Sequence, residues 1–575
     1  MTPDDSALRQ DDHPTVHSGW FGEERPLFGW LHLPAGRLAR GGVVIFPPLG
    51  HDYRLAYPAL KLLAERLASQ GFAAIRFDYD GTGDSAGSND DPDRVESWLR
   101  SGEHALRLIR SCGVQWTATV GMRVGASLAA MVAERTQDVD ALVLWDPLAG
   151  RAYIAEQRAL ALLSFGATDV DDGSIELPGL VLATDTVQAL REVALARTTG
   201  HLAEKVLCLT RADRPSDERM RKRLGDHDVE WGEADGQSDL LDRPPPDQIV
   251  PERAIDTIST WLTGAAPAEA APVTVRGLRS EVWCDAAGEG LPFAESAFRT
   301  GTADLFGIVT EPLEWNGGPT VLLINSSNEH RIGPNRLWVL LARQWAQAGF
   351  RSVRFELSGF GDSGVWNDQE RGMLRTREHF DDLRQMAQHV SPHDPSDVVL
   401  VGLCSSAYQA IDSAFDLKPR GICALNPTFS FSVPEMEASQ PMDARRRVAR
   451  HRNGFVTAFS RNHALWPLME RYPNALWFCR NLLSPRRPAR WLDELIASDV
   501  VSFYLLGEYE ARQLQYGSAR RLSRLTTTGR LKVRVVPDLD HGLMTRKSRE
   551  TAVEELTRHV FDRFLGPVNT RSRVK

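Results

Sequence analysis

The sequence predicts an α/β protein built from two copies of one fold, each a mostly parallel sheet with helices on both faces, the second copy with a helical cap. Three observations predict it. Leu27-Phe28-Gly29-Trp30 returns as Leu305-Phe306-Gly307-Ile308, and further segments recur at the same spacing of 278 residues. Within each copy, short apolar runs alternate with amphipathic stretches, as the strands and helices of a parallel sheet do. At 575 residues the chain also exceeds what one core usually supports.

The repeat runs over about 60 residues, too long for coincidence. Val43-Val44-Ile45-Phe46 becomes Val321-Leu322-Leu323-Ile324, and Gly71-Phe72-Ala73-Ala74-Ile75-Arg76-Phe77 becomes Gly349-Phe350-Arg351-Ser352-Val353-Arg354-Phe355. Gly81-Thr82-Gly83-Asp84-Ser85 becomes Gly359-Phe360-Gly361-Asp362-Ser363. In order, each copy reads as a strand (43–46; 321–324), a helix (56–69; 335–348), a strand (73–78; 351–356) and this Gly-rich turn. A second helix (about 93–110; 373–390) and a further strand (117–121; 397–402) follow. The stretches before 43 and before 321 read as antiparallel leading strands. The Ala/Pro segment Gly264–Pro272 has the composition of a stiff linker. The expected division is therefore 1–263, a linker at 264–273, and 274–575.

Composition narrows the function classes. Charged residues at 25% and hydrophobic ones at 42% are globular values. A formal charge of -9 speaks against general nucleic-acid binding. Six cysteines without a C-x-x-C pair suggest neither a zinc site nor a disulfide framework, and no metal or redox cofactor is expected. The start of the chain lacks the basic and apolar regions of a signal peptide, and no apolar run reaches the roughly 18–20 residues of a membrane span. A soluble, cytoplasmic protein is expected.

One stretch carries the chemistry. Val398-Val399-Leu400-Val401 climbs into Gly402-Leu403-Cys404-Ser405-Ser406 and continues as a helix. That is a strand–turn–helix nucleophile elbow, G-x-C-x-S where G-x-S-x-G is the common form. In the first copy the matching Gly121-Met122-Arg123-Val124-Gly125 keeps both glycines but places Arg123 at the nucleophile position. A guanidinium stays protonated and has no lone pair to attack a carbonyl.

Each half resembles an α/β-hydrolase of the serine-aminopeptidase type. The first half resembles exosortase-system-associated hydrolases in Pro47-Pro48-Leu49-Gly50-His51 and Phe77-Asp78-Tyr79-Asp80-Gly81-Thr82-Gly83-Asp84-Ser85. The resemblance implies the chain order nucleophile, acid, histidine. Cys404 then takes the first place, and the family's G-x-x-D pattern after the strand 501–506 puts the acid at Glu510, with Glu508 as runner-up. His541, in Asp538-Leu539-Asp540-His541-Gly542, is the implied base. The implied oxyanion donors are the backbone N–H of Ser405 and, from the loop Ile324-Asn325-Ser326-Ser327-Asn328, that of Ser327. In the first copy the acid position survives as Asp213, whereas Ser238 stands where the base belongs, so that copy reads as a pseudo-hydrolase. Two roles are open to Arg123: an ion pair with Asp213, or the capture of an anionic ligand at a former active site.

A cap is expected at about 430–497. It carries Arg445-Arg446-Arg447 and Arg450-His451-Arg452, then Arg486-Arg487-Pro488-Ala489-Arg490, which suit either a solvated helix face or a dock for a phosphorylated acyl donor such as an acyl-CoA or an acyl carrier protein. The expected function is acyl transfer, as a hydrolase or acyltransferase on an ester or thioester, through an acyl intermediate on Cys404. The rival is a non-catalytic scaffold made of two degenerate hydrolase domains.

Overall fold

The computed structural model describes residues 13–564, apart from 167–171, 215–216, 226, 244–246, 286–289, 316, 327–328, 367–377, 428–487 and 516–518. Two compact units divide it, Met1–Val282 and Trp283–Lys575.

Among the described residues, the first unit holds an eight-stranded sheet. Its spatial order is Thr15–Phe21, Leu27–Leu33, Phe72–Phe77, Gly41–Phe46, Thr117–Met122, Ala141–Trp145, Lys205–Thr210 and Val229–Glu233. The leading strands pair antiparallel and the rest run parallel. Val43 and Ile45 belong to the core on one face, against the helices Gly50–Ser69 and Glu252–Ala265. Val44 and Phe46 belong to the core on the other, with Arg94–Ser111 and Val124–Thr136. A strand buried on both faces has no polar side to alternate with, which is why it reads as a continuous apolar run.

The second unit repeats this order in a sheet whose leading strands are Phe293–Thr300 and Leu305–Pro312, preceded by Glu281–Cys284 at the boundary of the units. Ser352–Phe355, Thr320–Ile324, Val398–Leu403, Gly421–Leu425, Val501–Leu506 and Leu531–Val535 complete the sheet. Val321 and Leu323 face the helices Leu337–Gln347 and Arg546–Phe564, while Leu322 and Ile324 face Glu378–Val390 and Ser405–Leu417. The sequence repeat is a repeat of register. Gly29 pairs with Phe77 and Gly307 with Phe355; Val43 pairs with Ala74 and Val321 with Ser352.

The Ala/Pro segment begins in the last turns of the helix Glu252–Ala265 and includes the short strand Ala271–Pro272, paired with Leu38–Ala39 of the first unit. Among the described residues no helix is long and apolar enough to cross a membrane.

Candidate active site

The strand Val398–Leu403 turns into the helix Ser405–Leu417 at Cys404, whose φ of 55° and ψ of -108° lie where non-glycine residues are strained. The turn is closed by the Cys404 N–H donating to Leu425 O at 3.0 Å. Gly402 is required here: a Cβ on it would stand 2.4 Å from the Ser406 carbonyl carbon. Cys404 itself is half-buried, unlike Cys423, which is buried in the neighbouring strand.

Two loops at the same end of the sheet bring the expected partners to this sulfur. The strand Val501–Leu506 feeds the helix Glu508–Gln515, whose first turn presents Glu510 with its carboxylate nearly buried. The loop after Leu531–Val535 presents His541, with Nδ1 2.8 Å from Glu510 Oε1. The Cys404 side chain lies close enough to the imidazole to act on its proton affinity. Cys404 first, then the bonded Glu510, raise the imidazole to about 10 against the opposing effect of burial. Both neighbours favour the imidazolium over the neutral ring.

Glu508 is exposed and pairs with Arg512 at 2.8 Å. Ser405, buried, opens the elbow helix, where the first N–H groups have no acceptor within the helix. Ser327 lies outside the described residues. Its neighbour Ser326 donates through Oγ to Leu403 O at 2.8 Å, which ties this loop to the elbow. Most of the expected cap, including Arg445–Arg452, Arg486 and Arg487, also lies outside the described residues; the helix Pro488–Ala497 is its described part.

Sequence reasoning did not single out Asn335 and Asn426, whose side chains grip the His541 loop. Asn335 Nδ2 donates to Leu543 O at 3.2 Å and to Met544 O at 3.4 Å. Asn426 Nδ2 donates to Asp540 O and His541 O, both at 3.1 Å. A signal for Asn426 exists: Leu425-Asn426-Pro427 ends one strand as Trp145-Asp146-Pro147 ends its counterpart.

The first copy keeps the elbow and fills it differently. Arg123 has φ 58° and ψ -125°, and its N–H donates to Trp145 O at 2.9 Å. Its guanidinium is buried among carboxylates: Nε is 3.1 Å from Asp52 Oδ2, Nη1 is 3.2 Å from Asp146 Oδ2, and Nη2 bonds Glu156. The expected pairing with Asp213 is corrected. Asp213 is exposed and bonds Arg211 at 2.9 and 2.6 Å, two residues away along the chain. With three internal carboxylates on it, Arg123 reads as part of an ion cluster rather than an anion receptor. Burial pushes the Asp52 and Asp146 carboxyls up, while Arg123 pulls them down. Ser238 is exposed on the helix Gln237–Leu241, and buried Gln237 beside it reaches Asp146 at 3.4 Å.

Residues 321–555 match the model of the alpha/beta hydrolase family. The match lies within the second unit. Solved structures of this alpha/beta hydrolase type are similar at low identity. XC6422 from Xanthomonas campestris, described as a member of the α/β serine hydrolases without a lid, shares 15% identity over 48% of this chain and 96% of its own, with a TM-score of 0.28. Est1E from Butyrivibrio proteoclasticus, solved with ferulic acid, shares 14% over 43% of this chain and 98% of its own, TM-score 0.31. The thioesterase domain from the curacin biosynthetic pathway shares 16% over 46% of this chain and 99% of its own, TM-score 0.29. No curated protein matches the chain.

Proposed function

We propose that the second unit is an acyl-transfer enzyme acting on an ester or thioester through an acyl intermediate on Cys404. The observation that carries this reading is the His541–Glu510 hydrogen bond of 2.8 Å beside Cys404 at the elbow. Glu510 accepts a hydrogen bond from Nδ1–H, which fixes the ring and leaves Nε2 for the sulfur. The reacting form of the site pairs a thiolate on Cys404 with an imidazolium on His541.

The thiolate attacks the acyl carbon and forms the S–C bond. The tetrahedral oxyanion is held by the Ser405 N–H, with Ser327 proposed as the second donor. As the intermediate collapses, the bond to the leaving oxygen or sulfur breaks, and His541 hands that atom its proton. His541, now neutral, takes a proton from water or from an amine or thiol acceptor as that acceptor attacks the thioester. The C–S bond breaks and the thiolate–imidazolium pair is restored. The basic segments of the cap are proposed to favour an acyl-CoA or acyl carrier protein as donor. The first unit, with Arg123 and Ser238 where this chemistry needs a nucleophile and a base, is proposed to be catalytically silent.

The test is turnover of a panel of acyl-CoA thioesters and p-nitrophenyl esters by the full chain and by Cys404→Ala. Release of thiol or nitrophenol by the full chain and its loss in the variant is the expected result. Equal rates in both, or none from the full chain on any panel member, overturn the proposal.

A further inference from the structure

We propose that Asn426 is a positioning residue that sets the acid loop and the base loop at a fixed separation. The proposal rests on the reading of Cys404, His541 and Glu510 as the reacting groups. Asn426 follows the strand Gly421–Leu425, is fully buried and has a φ of 39°. Its own N–H donates to Leu505 O at 3.0 Å, so the residue is fixed before its side chain reaches anything.

The two ends of the carboxamide hold different loops. Oδ1 accepts the N–H of Gly507 at 2.9 Å, at the turn from which Glu510 projects. Nδ2 donates to the carbonyls of Asp540 and His541. A backbone N–H can only donate and two carbonyls can only accept, so this orientation of the amide alone satisfies all three partners. The loops it joins are packed closely: a Cβ on Gly507 would lie 2.6 Å from Leu539 O and 2.9 Å from Glu510 Oε2.

His541 needs such a hold, because its side chain is 46% exposed and packing does not fix the ring. The rest of its loop is braced from within. Asp540 accepts the N–H groups of Met544 at 2.6 Å and Thr545 at 3.1 Å, and Asn335 secures the carbonyls of Leu543 and Met544. Those bonds stiffen the base loop. Asn426 ties it to the acid.

The first copy supplies an independent observation. At the same strand end it has Asp146, also left-handed with φ 49°, whose carboxylate has no proton to donate to a carbonyl and turns to Arg123 instead. The copy whose base position holds Ser238 is thus also the copy without the amide.

The experiment is the pH dependence of iodoacetamide alkylation at Cys404, read by peptide mass spectrometry on the full chain, its Asn426→Asp and Asn426→Ser variants, and Asn335→Ala. Aspartate is isosteric, tolerates the left-handed backbone and still accepts from Gly507, but cannot donate. Serine is too short to reach both loops. The full chain is expected to alkylate at its plateau rate already near neutral pH. Both Asn426 variants are expected to lose at least about tenfold at that pH, as a misplaced partner does, with the profile moving toward the ordinary thiol range of about 8.5. Asn335→Ala, which loosens the same loop without touching the acid, is expected to lower the melting temperature and leave the profile in place. An unchanged profile in the folded Asn426 variants overturns the inference, and so does a shift in Asn335→Ala as large as theirs. A full chain whose Cys404 shows no reactivity near neutral pH overturns the underlying base reading itself, a separate outcome.

Discussion

Arg123 and Cys404 occupy the same turn of the two copies, at φ 58°, ψ -125° and φ 55°, ψ -108°. Non-glycine residues in such regions cost on the order of 1–3 kcal/mol. In the second copy the turn presents a sulfur to His541; in the first it holds a guanidinium against three carboxylates. The same backbone turn serves both uses. Cys404→Gly relieves the strain as it removes the contact, and its stability is expected to stay within about 1 kcal/mol of wild type while turnover is lost. Arg123→Gly leaves Asp52 and Asp146 buried without their cation and is expected to cost about 3 kcal/mol or more. Urea denaturation of the two variants checks the contrast.

The two glutamates of the acid loop are expected to part company. Glu510 is nearly buried on His541, and Glu510→Gln is expected to cut turnover by about 10⁴-fold, since an amide no longer stabilises the imidazolium. Glu508→Gln removes an exposed i,i+4 pair with Arg512, worth about 0.3–0.5 kcal/mol, and is expected to leave kcat unchanged. Steady-state kinetics on any substrate found in the panel distinguishes them.

The imidazole contributes a pH-dependent share of stability. His541 holds its proton to about 10 in the folded chain, against about 6.5 for an unperturbed ring. The folded state binds that proton more tightly, so the stabilisation is fully present below about pH 6.5 and is lost as pH rises toward about 10. The difference in urea midpoint between wild type and His541→Ala, followed across that window, is expected to shrink steadily. Because the ring is 46% exposed, solvent screens the pair and keeps the loss modest.

Gly402→Ala places a methyl group 2.4–2.6 Å from the backbone of Ser406 and Ala407. The elbow must open to accept it. A cost of about 1–3 kcal/mol in stability is expected, together with slower alkylation of Cys404, both measurable on the purified variant.

Much of the fold was legible because a repeated register leaves a repeated sequence. The spacing from Gly29 to Gly307 and from Phe77 to Phe355 is the spacing of the paired strands themselves. The elbow was legible because its backbone admits few residue types at Gly402 and Gly121. The partners of Arg123 were not. Asp52, Asp146 and Glu156 reach it from three separate stretches of chain, whereas Asp213 attracted attention by alignment and then bonded Arg211 two residues away. Asn426 escaped for a related reason. A buried amide leaves no periodicity or charge in a sequence, and its meaning appears only when the loops on either side of it are placed.

The central claim is a covalent one, and the mass of the intact chain tests it most directly. Incubated with the acyl-thioester panel and quenched in acid, the protein is expected to gain the mass of one acyl group, mapped to the peptide bearing Cys404 and absent from Cys404→Ala. A chain that consumes thioester yet never carries the acyl group on that sulfur, or carries it equally on its other cysteines, contradicts the account.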